Sequence, residues 1–445
     1  MKKRRTGTNG LARRAFLRSA AALSSPLILP RGVRGMPAPS NRITVGFIGL
    51  GRHGFGVNLK SMLAQPDMEP VALCDVDTDY LKRAMDHVKS TREITLDRKA
   101  VTTDWREVIA RSDIDAVMIS TPDHWHVPIA LAALRAGKDV ICEKPTLTIE
   151  EGQVLRRTVR EYGRVFQGSM EDRAMPMYHR MAELVRNGHI GKLRHIGITV
   201  PGAPWSETPP RGQPPQFEVK SVPVPATLDY DMWLGPAPEA PYQPERVHYM
   251  NPAGGWRFIR DYSGGMLSDW GVHMGDTAQW ASNTESTGPI DVSGRGYFFR
   301  DGLYNTAHQF QVRYRYAEGF DMTIESGGTG IRFEGTDGWL EVSAWARPIQ
   351  ASDPTVLRHI TGPNEVRLYT DYSREHRNFL DCVKSRRDPY FPVEALHRVS
   401  TIVHLGNIAL QLERPLTWDP QQERFPDDAR ACSMMSREMR APWTL

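Results

Sequence analysis

The sequence predicts an α/β protein in two parts: a parallel sheet wound by helices, then an α+β domain with a large, mostly antiparallel open sheet. Three observations predict it. A glycine-rich turn, Gly49-Leu-Gly51-Arg-His-Gly54, links an apolar strand-like run to a helix-like one. From there to about Gly168, short apolar runs alternate with helical patterns. Beyond residue 300 the apolar residues recur with period two, as in strands with one buried face.

In chain order, Ile43-Thr-Val-Gly-Phe-Ile48 reads as a buried strand and residues 55–64 as a helix. The glycines between them permit a tight turn and let backbone amides approach a pyrophosphate, where the helix N-terminus adds partial positive charge. A second run, Pro70-Val-Ala-Leu-Cys74, ends in Asp75, 24 residues past Gly51. A carboxylate at that place accepts hydrogen bonds from an adenosine ribose. Together these features predict a Rossmann domain over residues 41–168. Its remaining elements are a strand at 114–120, a helix at 127–136 closed by Gly137, a strand at 139–142, a helix opened by Thr148-Ile-Glu-Glu151 with capping-box spacing, and a last strand at 164–167.

The second domain, 169–445, opens with a strand at 193–200. Residues 201–244 hold twelve of the thirty-three prolines, which predicts an extended arm, lid or surface loop without regular helix. Alternation at 310–316 and 320–324 flanks a turn at 317–319, and strands at 331–333 and 339–342 flank Thr336-Asp-Gly338. Helices at 376–385 and 393–412 complete the domain. There are no internal repeats.

Residues 1–40 stand outside this plan. They carry nine Lys or Arg and no acid, with Arg13-Arg14-Ala-Phe-Leu-Arg18 ahead of a mildly apolar stretch at 20–29. Paired arginines before a short, weakly hydrophobic run resemble a twin-arginine export signal. The expectation is an exported, periplasmic protein whose partner is the twin-arginine export machinery. The stretch is far below the roughly 20 apolar residues that span a bilayer, and an uncleaved leader would serve only as a membrane tether. Ala38 is a weak cleavage candidate. The formal charge of +4 includes the nine leader cations, so residues 41–445 alone carry −5. A nucleic-acid partner loses its electrostatic basis. The four cysteines, Cys74, Cys142, Cys382 and Cys432, have no metal-type spacing, and the first two read as buried strand residues.

Three motifs should converge at the carboxyl ends of the first domain's strands, where α/β sheets bind ligands. Ser120-Thr-Pro-Asp-His-Trp-His126 offers hydroxyls, a turn proline and rings beside a nicotinamide path; His124 and His126 are read as cofactor contacts or caps rather than metal ligands. Glu143-Lys144-Pro145 ends the next strand, and the proline biases Lys144 toward an extended backbone from which its ammonium can stabilise alkoxide charge. In Gly264-Gly-Met-Leu-Ser-Asp269-Trp-Gly271-Val-His273-Met-Gly275-Asp276, helical spacing would put Asp269, His273 and Asp276 on one face, with Asp269 fixing the tautomer of a proton-transferring His273. Gly271 and Gly275 each cost ~1 kcal/mol in a helix, so close packing should justify them.

This ordered set of motifs resembles the glucose–fructose oxidoreductase/inositol dehydrogenase (Gfo/Idh/MocA) family, from about Arg42 to the C-terminus, including His376-Arg-Asn-Phe-Leu-Asp-Cys-Val-Lys-Ser385 and Arg440-Ala-Pro-Trp443. The resemblance implies a catalytic Lys144, Asp269 and His273, and a homo-oligomer, dimer or tetramer. It also implies a cofactor site of Gly49, Gly51, Arg52, His53, Gly54, Asp75, Ser120, Thr121, Pro122, His124, His126, Glu143 and Lys144. Arg173 matches a position near substrate in the family, and Trp256 joins it, Asp269 and His273 as expected substrate contacts. Asp75 argues for NAD, while Arg52 could pair with the 2′-phosphate of NADP. Met274 stands where exported relatives often carry a second histidine, and no metal is expected. The implied activity is hydride transfer between a sugar or cyclitol hydroxyl and a tightly bound nicotinamide cofactor. Two alternatives stand beside it: a glycosidase or lyase working through transient oxidation, and a non-catalytic sugar-binding module.

Overall fold

In the computed structural model, strands β1 (Ile43–Ile48), β2 (Met68–Cys74), β3 (Val101–Thr102), β4 (Ala116–Ile119), β5 (Asp139–Cys142) and β6 (Phe166–Gly168) form one parallel sheet in the order β3-β2-β1-β4-β5-β6. The structure describes residues 41–203, 220–248, 255–299 and 302–445. The expected leader lies outside these residues, as does the 204–219 part of the proline-rich stretch.

The order of this sheet reverses between β1 and β4, which makes their carboxyl ends the switch point where a crevice opens. The register sharpens the point. Ile48 pairs with Cys74 and with Ile119, and Ile119 pairs with Cys142. Gly49, Asp75, Ser120 and Glu143 therefore leave four neighbouring strands at one level.

The helix after β4 runs Asp123–Arg135, four residues earlier than its apolar pattern, so His124 and His126 lie in its opening turns. Pro128 cannot donate to the carbonyl of His124. Arg437 donates to that carbonyl instead, at 2.7 Å, from the C-terminal segment. Thr148 caps the helix Ile149–Tyr162 through the Glu151 amide, but only half of the capping box forms. Glu151 accepts from Leu147 N–H and pairs with Arg437.

The second sheet has eight strands in the order β13-β12-β11-β7-β10-β9-β8-β14. They are β7 (Leu193–Val200), β8 (Asp291–Tyr297), β9 (Gln309–Arg315), β10 (Asp321–Ser326), β11 (Ile331–Gly335), β12 (Trp339–Val342), β13 (Gln350–Ala351) and β14 (Leu416–Thr417). Only the β7–β10 pair is parallel. The two turns read from the sequence do join antiparallel neighbours, β9 to β10 and β11 to β12. One expectation fails: residues 201–244 do contain a helix, Tyr230–Leu234, because no proline falls between Thr227 and Gly235 and the Asp229 carboxylate caps the Met232 amide at 3.0 Å.

The late helices do not stay in the second domain. Phe379, Leu380 and Cys382 of the helix Arg374–Ser385 pack into the apolar layer under β1 and β2. Arg377 and Lys384 both pair with Asp67 of the first sheet's lobe. The helix Val393–Leu412 crosses behind both sheets, touching the helix Ile149–Tyr162 and β8. Residues 43–445 accordingly form one compact unit. Among the described residues no helix is long and apolar enough to cross a membrane.

Glycines mark where the helix Val393–Leu412 comes close. A Cβ at Gly271 would lie 2.9 Å from Val403 Cγ1, and one at Gly275 3.2 Å from Val399 Cγ2, so the packing expected of these two glycines is present. In β8 a Cβ at Gly294 would meet Leu410 Cδ2 at 2.9 Å and Gln311 O at 2.8 Å. Gly294→Val should therefore destabilise the protein by about 1–3 kcal/mol. Urea denaturation checks this, and an unchanged midpoint would show that β8 and this helix are not in contact.

Candidate active site

A cavity of about 740 Å³ opens at the switch point, within the range of small-molecule sites. Its first half is built from backbone. Gly49 has φ +89°, and a Cβ there would lie 2.6 Å from the Ser120 carbonyl; a Cβ at Gly54 would lie 2.2 Å from Gly49 O. These two glycines make the turn and its contact with β4. Gly49 and Gly51 border the cavity, whereas Gly54, expected to touch the cofactor, packs beneath the turn and does not; a Cβ at Gly51 would have only Tyr80 Cε2 near it, at 3.8 Å. The helix that follows opens with π-helical turns at Gly54–Leu59 and continues as Lys60–Leu63.

Asp75 borders the cavity while accepting from Leu50 N–H at 2.5 Å and Asp77 N–H at 2.9 Å. Burial pushes its pKa up to about 6 against those two bonds. The Thr121 hydroxyl is buried on the cavity wall without a hydrogen-bond partner. Arg52, Ser120 and Pro122 also line it. His53 pairs with Glu143 at 3.1 Å, and Asn58 donates to both Ser120 Oγ and Glu143 Oε1. Burial opposes the charge on Glu143, but His53 and Lys144 hold its pKa well below the usual carboxylate range. A glycine facing open space, a half-satisfied carboxylate and an orphan hydroxyl fit a dinucleotide's phosphates and ribose.

One further expected cofactor contact is corrected, and another borders the cavity as a cap. His124 is fully buried, with Nε2 2.9 Å from Trp233 O, and does not border the cavity. Starting the helix at Asp123 turns this ring into the core, where burial pushes its pKa down to about 3. His126 borders the cavity, but its ring nitrogens lie 2.8 Å from Thr121 O and from Pro145 O. It staples the ends of β4 and β5 together and so holds Lys144 in place.

The second half is built from side chains. Lys144 Nζ donates to Asp269 Oδ1 and to the Asp269 carbonyl, both at 2.8 Å. Burial works against the ammonium, yet Asp269 and Glu143 raise its pKa above the ordinary value. Arg257 donates to the other oxygen of Asp269 at 3.1 Å. Asp269 does not orient His273, contrary to the helical spacing. The helix is interrupted at Trp270, between Met266–Asp269 and Gly271–Ser282, which turns Asp269 toward Lys144.

His273 is oriented by Asp172, whose Oδ2 lies 2.5 Å from Nδ1. Asp172 also accepts from Trp345 Nε1 at 2.9 Å and is fully buried. Against burial and the Lys144 charge, Asp172 and Glu171 raise the His273 pKa above its ordinary value. Glu171, Asp172 and His273 bring metal-ligand-type atoms within 4.8 Å of one another, but here Asp172 is taken up by His273 and Trp345. Met274 is buried in the apolar core.

Arg173 is also corrected. It is buried, bidentate on Asp276 at 2.6 and 2.7 Å, and bonded to Glu285, away from the cavity. Asp276 therefore belongs to this structural pair and not to the His273 face, and losing either partner would cost about 3–5 kcal/mol. Trp256 does line the cavity, beside Arg257, Trp270 and Trp345, which the sequence left unmarked. Asp172 had one signal: it leaves the last parallel strand at the carboxyl end, where such sites collect residues.

Residues 43–169 match the NAD-binding Rossmann fold of an oxidoreductase family, and residues 212–445 match that family's C-terminal alpha/beta domain. Among curated relatives, a glycosyl hydrolase family 109 protein of Stenotrophomonas maltophilia is 31% identical over 194 residues, covering 42% of this chain and 41% of its own. One from Shewanella baltica is 32% identical over 164 residues, covering 32% and 36%. The chain thus spans about two fifths of the length of these relatives. Similar solved folds include an aldose–aldose oxidoreductase of Caulobacter crescentus complexed with glycerol (17% identity, TM-score 0.59, covering 84% of this chain and 99% of that one). Another is the WlbA dehydrogenase of Bordetella pertussis with NADH and UDP-GlcNAcA (15%, 0.62, covering 85% and 99%).

The Gly51→Leu substitution should weaken NAD binding at least roughly tenfold, about 1.4 kcal/mol, with the thermal midpoint of the ligand-free protein unchanged. Isothermal titration checks it. Wild-type affinity in the variant would mean that the dinucleotide does not pass over this turn.

Proposed function

The chain belongs to the Gfo/Idh/MocA oxidoreductase family, and we propose that it oxidises and re-reduces a secondary hydroxyl of a carbohydrate or cyclitol. The observation that carries this reading is that Lys144 and His273 border the same cavity as the Gly49–Gly54 turn. NAD, when bound, supplies the hydride acceptor and donor; Gly49, Gly51, Asp75, Ser120, Thr121 and Glu143 would hold it. Lys144 hydrogen-bonds the reacting oxygen and stabilises its developing negative charge. His273 takes the hydroxyl proton; with Nδ1 on Asp172, Nε2 is the nitrogen left for that exchange. Asp172 stabilises the imidazolium that forms. Asp269 keeps Lys144 charged and pointed into the cleft. Trp256, Trp270 and Trp345 offer apolar faces to the C–H side of a sugar ring.

A second reading draws on the glycosyl hydrolase relatives. Transient oxidation of a sugar carbon acidifies its neighbouring C–H; removal of that proton expels the glycosidic group, water adds to the enone, and the returned hydride leaves a net hydrolysis. Glu171, which borders the cavity and whose pKa burial raises, gives this route a second proton-handling group. Aryl-glycoside cleavage without net change in nicotinamide absorbance favours this reading. Net conversion of the sugar to a ketone or lactone favours the first.

The same proposal includes export. The arginine pair at 13–14 supports passage through the twin-arginine machinery to the periplasm, where free NAD is scarce and a tightly held cofactor suits the cycle. Assembly into a homo-oligomer, which the family resemblance implies, belongs to the same proposal.

Two outcomes test the chemistry. Below its raised pKa His273 already holds a proton and cannot accept one, so kcat/KM for oxidation should climb with pH and level off above an apparent pKa higher than the ordinary 6.5; ketone reduction should show the opposite trend. His273→Ala should lower kcat by about 10²–10⁴-fold. Asp172→Asn should move the apparent pKa downward, and an unshifted profile in that variant would dismiss the dyad. Mass analysis of dinucleotide released from denatured protein identifies the cofactor.

A further inference from the structure

Residues 352–373 cross the helix Pro176–Arg186 with almost no regular structure of their own, only a short turn at Val356–Arg358. Polar contacts dock them. Leu368 N–H donates to Glu183 at 3.1 Å, and Asn187 exchanges two hydrogen bonds with Val366, at 2.8 and 2.9 Å. Arg180 donates to the His359 carbonyl.

At one end of this seam two histidines share one carboxylate. Nε2 of His189 lies 2.8 Å from Glu365 Oε1, and Nε2 of His359 lies 3.0 and 2.8 Å from its two oxygens. The ring centroids are only 4.0 Å apart, which brings both imidazoles to the same carboxylate. One dication could draw all three ligands together. The three ligand-type atoms lie within 4.8 Å of one another. Tetrahedral ligands at ordinary zinc bond lengths stand about 3.4 Å apart, a few tenths of an ångström from the nitrogen–oxygen separations here. The Gly362 amide also donates to Glu365 Oε2, which holds the carboxylate between the two rings. The side chains are 22, 34 and 24% exposed, which leaves a path for entry.

We propose that His189, His359 and Glu365 form a divalent-metal site for Zn²⁺ or a similar borderline cation, which clips the 352–373 segment to the helix Pro176–Arg186. Two imidazoles and one carboxylate suit that class of ion, with water as the fourth ligand. The role is structural. None of the three residues borders the cavity, but the clipped helix begins four residues after Asp172, so the clip steadies the frame that carries the carboxylate on His273.

The test uses tag-free, full-length protein stripped with a chelator and titrated with ZnCl₂ by calorimetry. One Zn²⁺ should bind per chain and raise the thermal midpoint. His359→Ala and Glu365→Gln should each weaken binding by more than the roughly 10–100-fold that loss of an outer-shell partner costs, while NAD binding in both variants reports that they fold. Co²⁺ in place of Zn²⁺ should give visible bands of a tetrahedral nitrogen/oxygen site that vanish in the His189→Ala/His359→Ala double variant. Absence of stoichiometric Zn²⁺ uptake by the wild type, or equal uptake by the double variant, overturns the proposal.

Discussion

The buried pair of Lys144 and Asp269 is the interaction around which the cleft is organised. Lys144 comes from the end of β5 and Asp269 from the second half of the chain, and their side chains are only 10 and 17% exposed. Such a pair repays its desolvation only when further polar partners complete it. They are present: the Asp269 carbonyl on the ammonium, Arg257 on the second carboxylate oxygen, and Glu143 acting on Lys144 from the other side. His53 closes the line beyond Glu143. Charges of alternating sign thus run across the cleft, and each is held charged by the next. The Lys144 ammonium is fixed in place by the same forces that hold the lobes together.

Much of the first lobe was legible because its signals are local. A turn that needs positive φ at Gly49, an apolar run and a carboxylate at the next strand's end are all written within a few residues of where they act. Parallel register then carries them to one level with no further information. The substrate side was less legible because its partners are remote. The carboxylate on His273 comes from residue 172, about a hundred positions away, while the acid one helical turn away goes to Lys144. Helical spacing assumes an unbroken helix, and the interruption at Trp270 sends the two side chains in different directions.

Glycines carried more about packing than about flexibility. Gly271 and Gly275 mark the path of the helix Val393–Leu412 on one side, and Gly294 and Gly296 mark it on the other. The first pair was readable because it sits in a helix, where glycine is costly. The second pair hid β8 instead, because glycine weakens a strand pattern just where the helix presses on it. Likewise the helix Arg374–Ser385 was recognisable, but its place was not: its apolar face fits either lobe, and its packing under β1 and β2 is joined by the Arg377–Asp67, Lys384–Asp67 and Arg386–Asp139 pairs, which no local signal announces.

The division of labour in the cleft explains why a family could be read more readily than a substrate. Phosphates and ribose call for backbone amides, small residues and one carboxylate, a requirement that any pyridine dinucleotide imposes in the same way. The opposite wall is made of Trp256, Trp270, Trp345 and Arg257, brought together from separate segments. Indole faces accept many ring shapes, and the Arg257 guanidinium is held by Asp269 in an orientation set by tertiary packing. What the cleft admits therefore depends on the spacing between those rings and the Lys144–His273 pair. That spacing is set by how the second sheet and its helices pack against the first lobe, so it belongs to the assembled cleft and to no single motif.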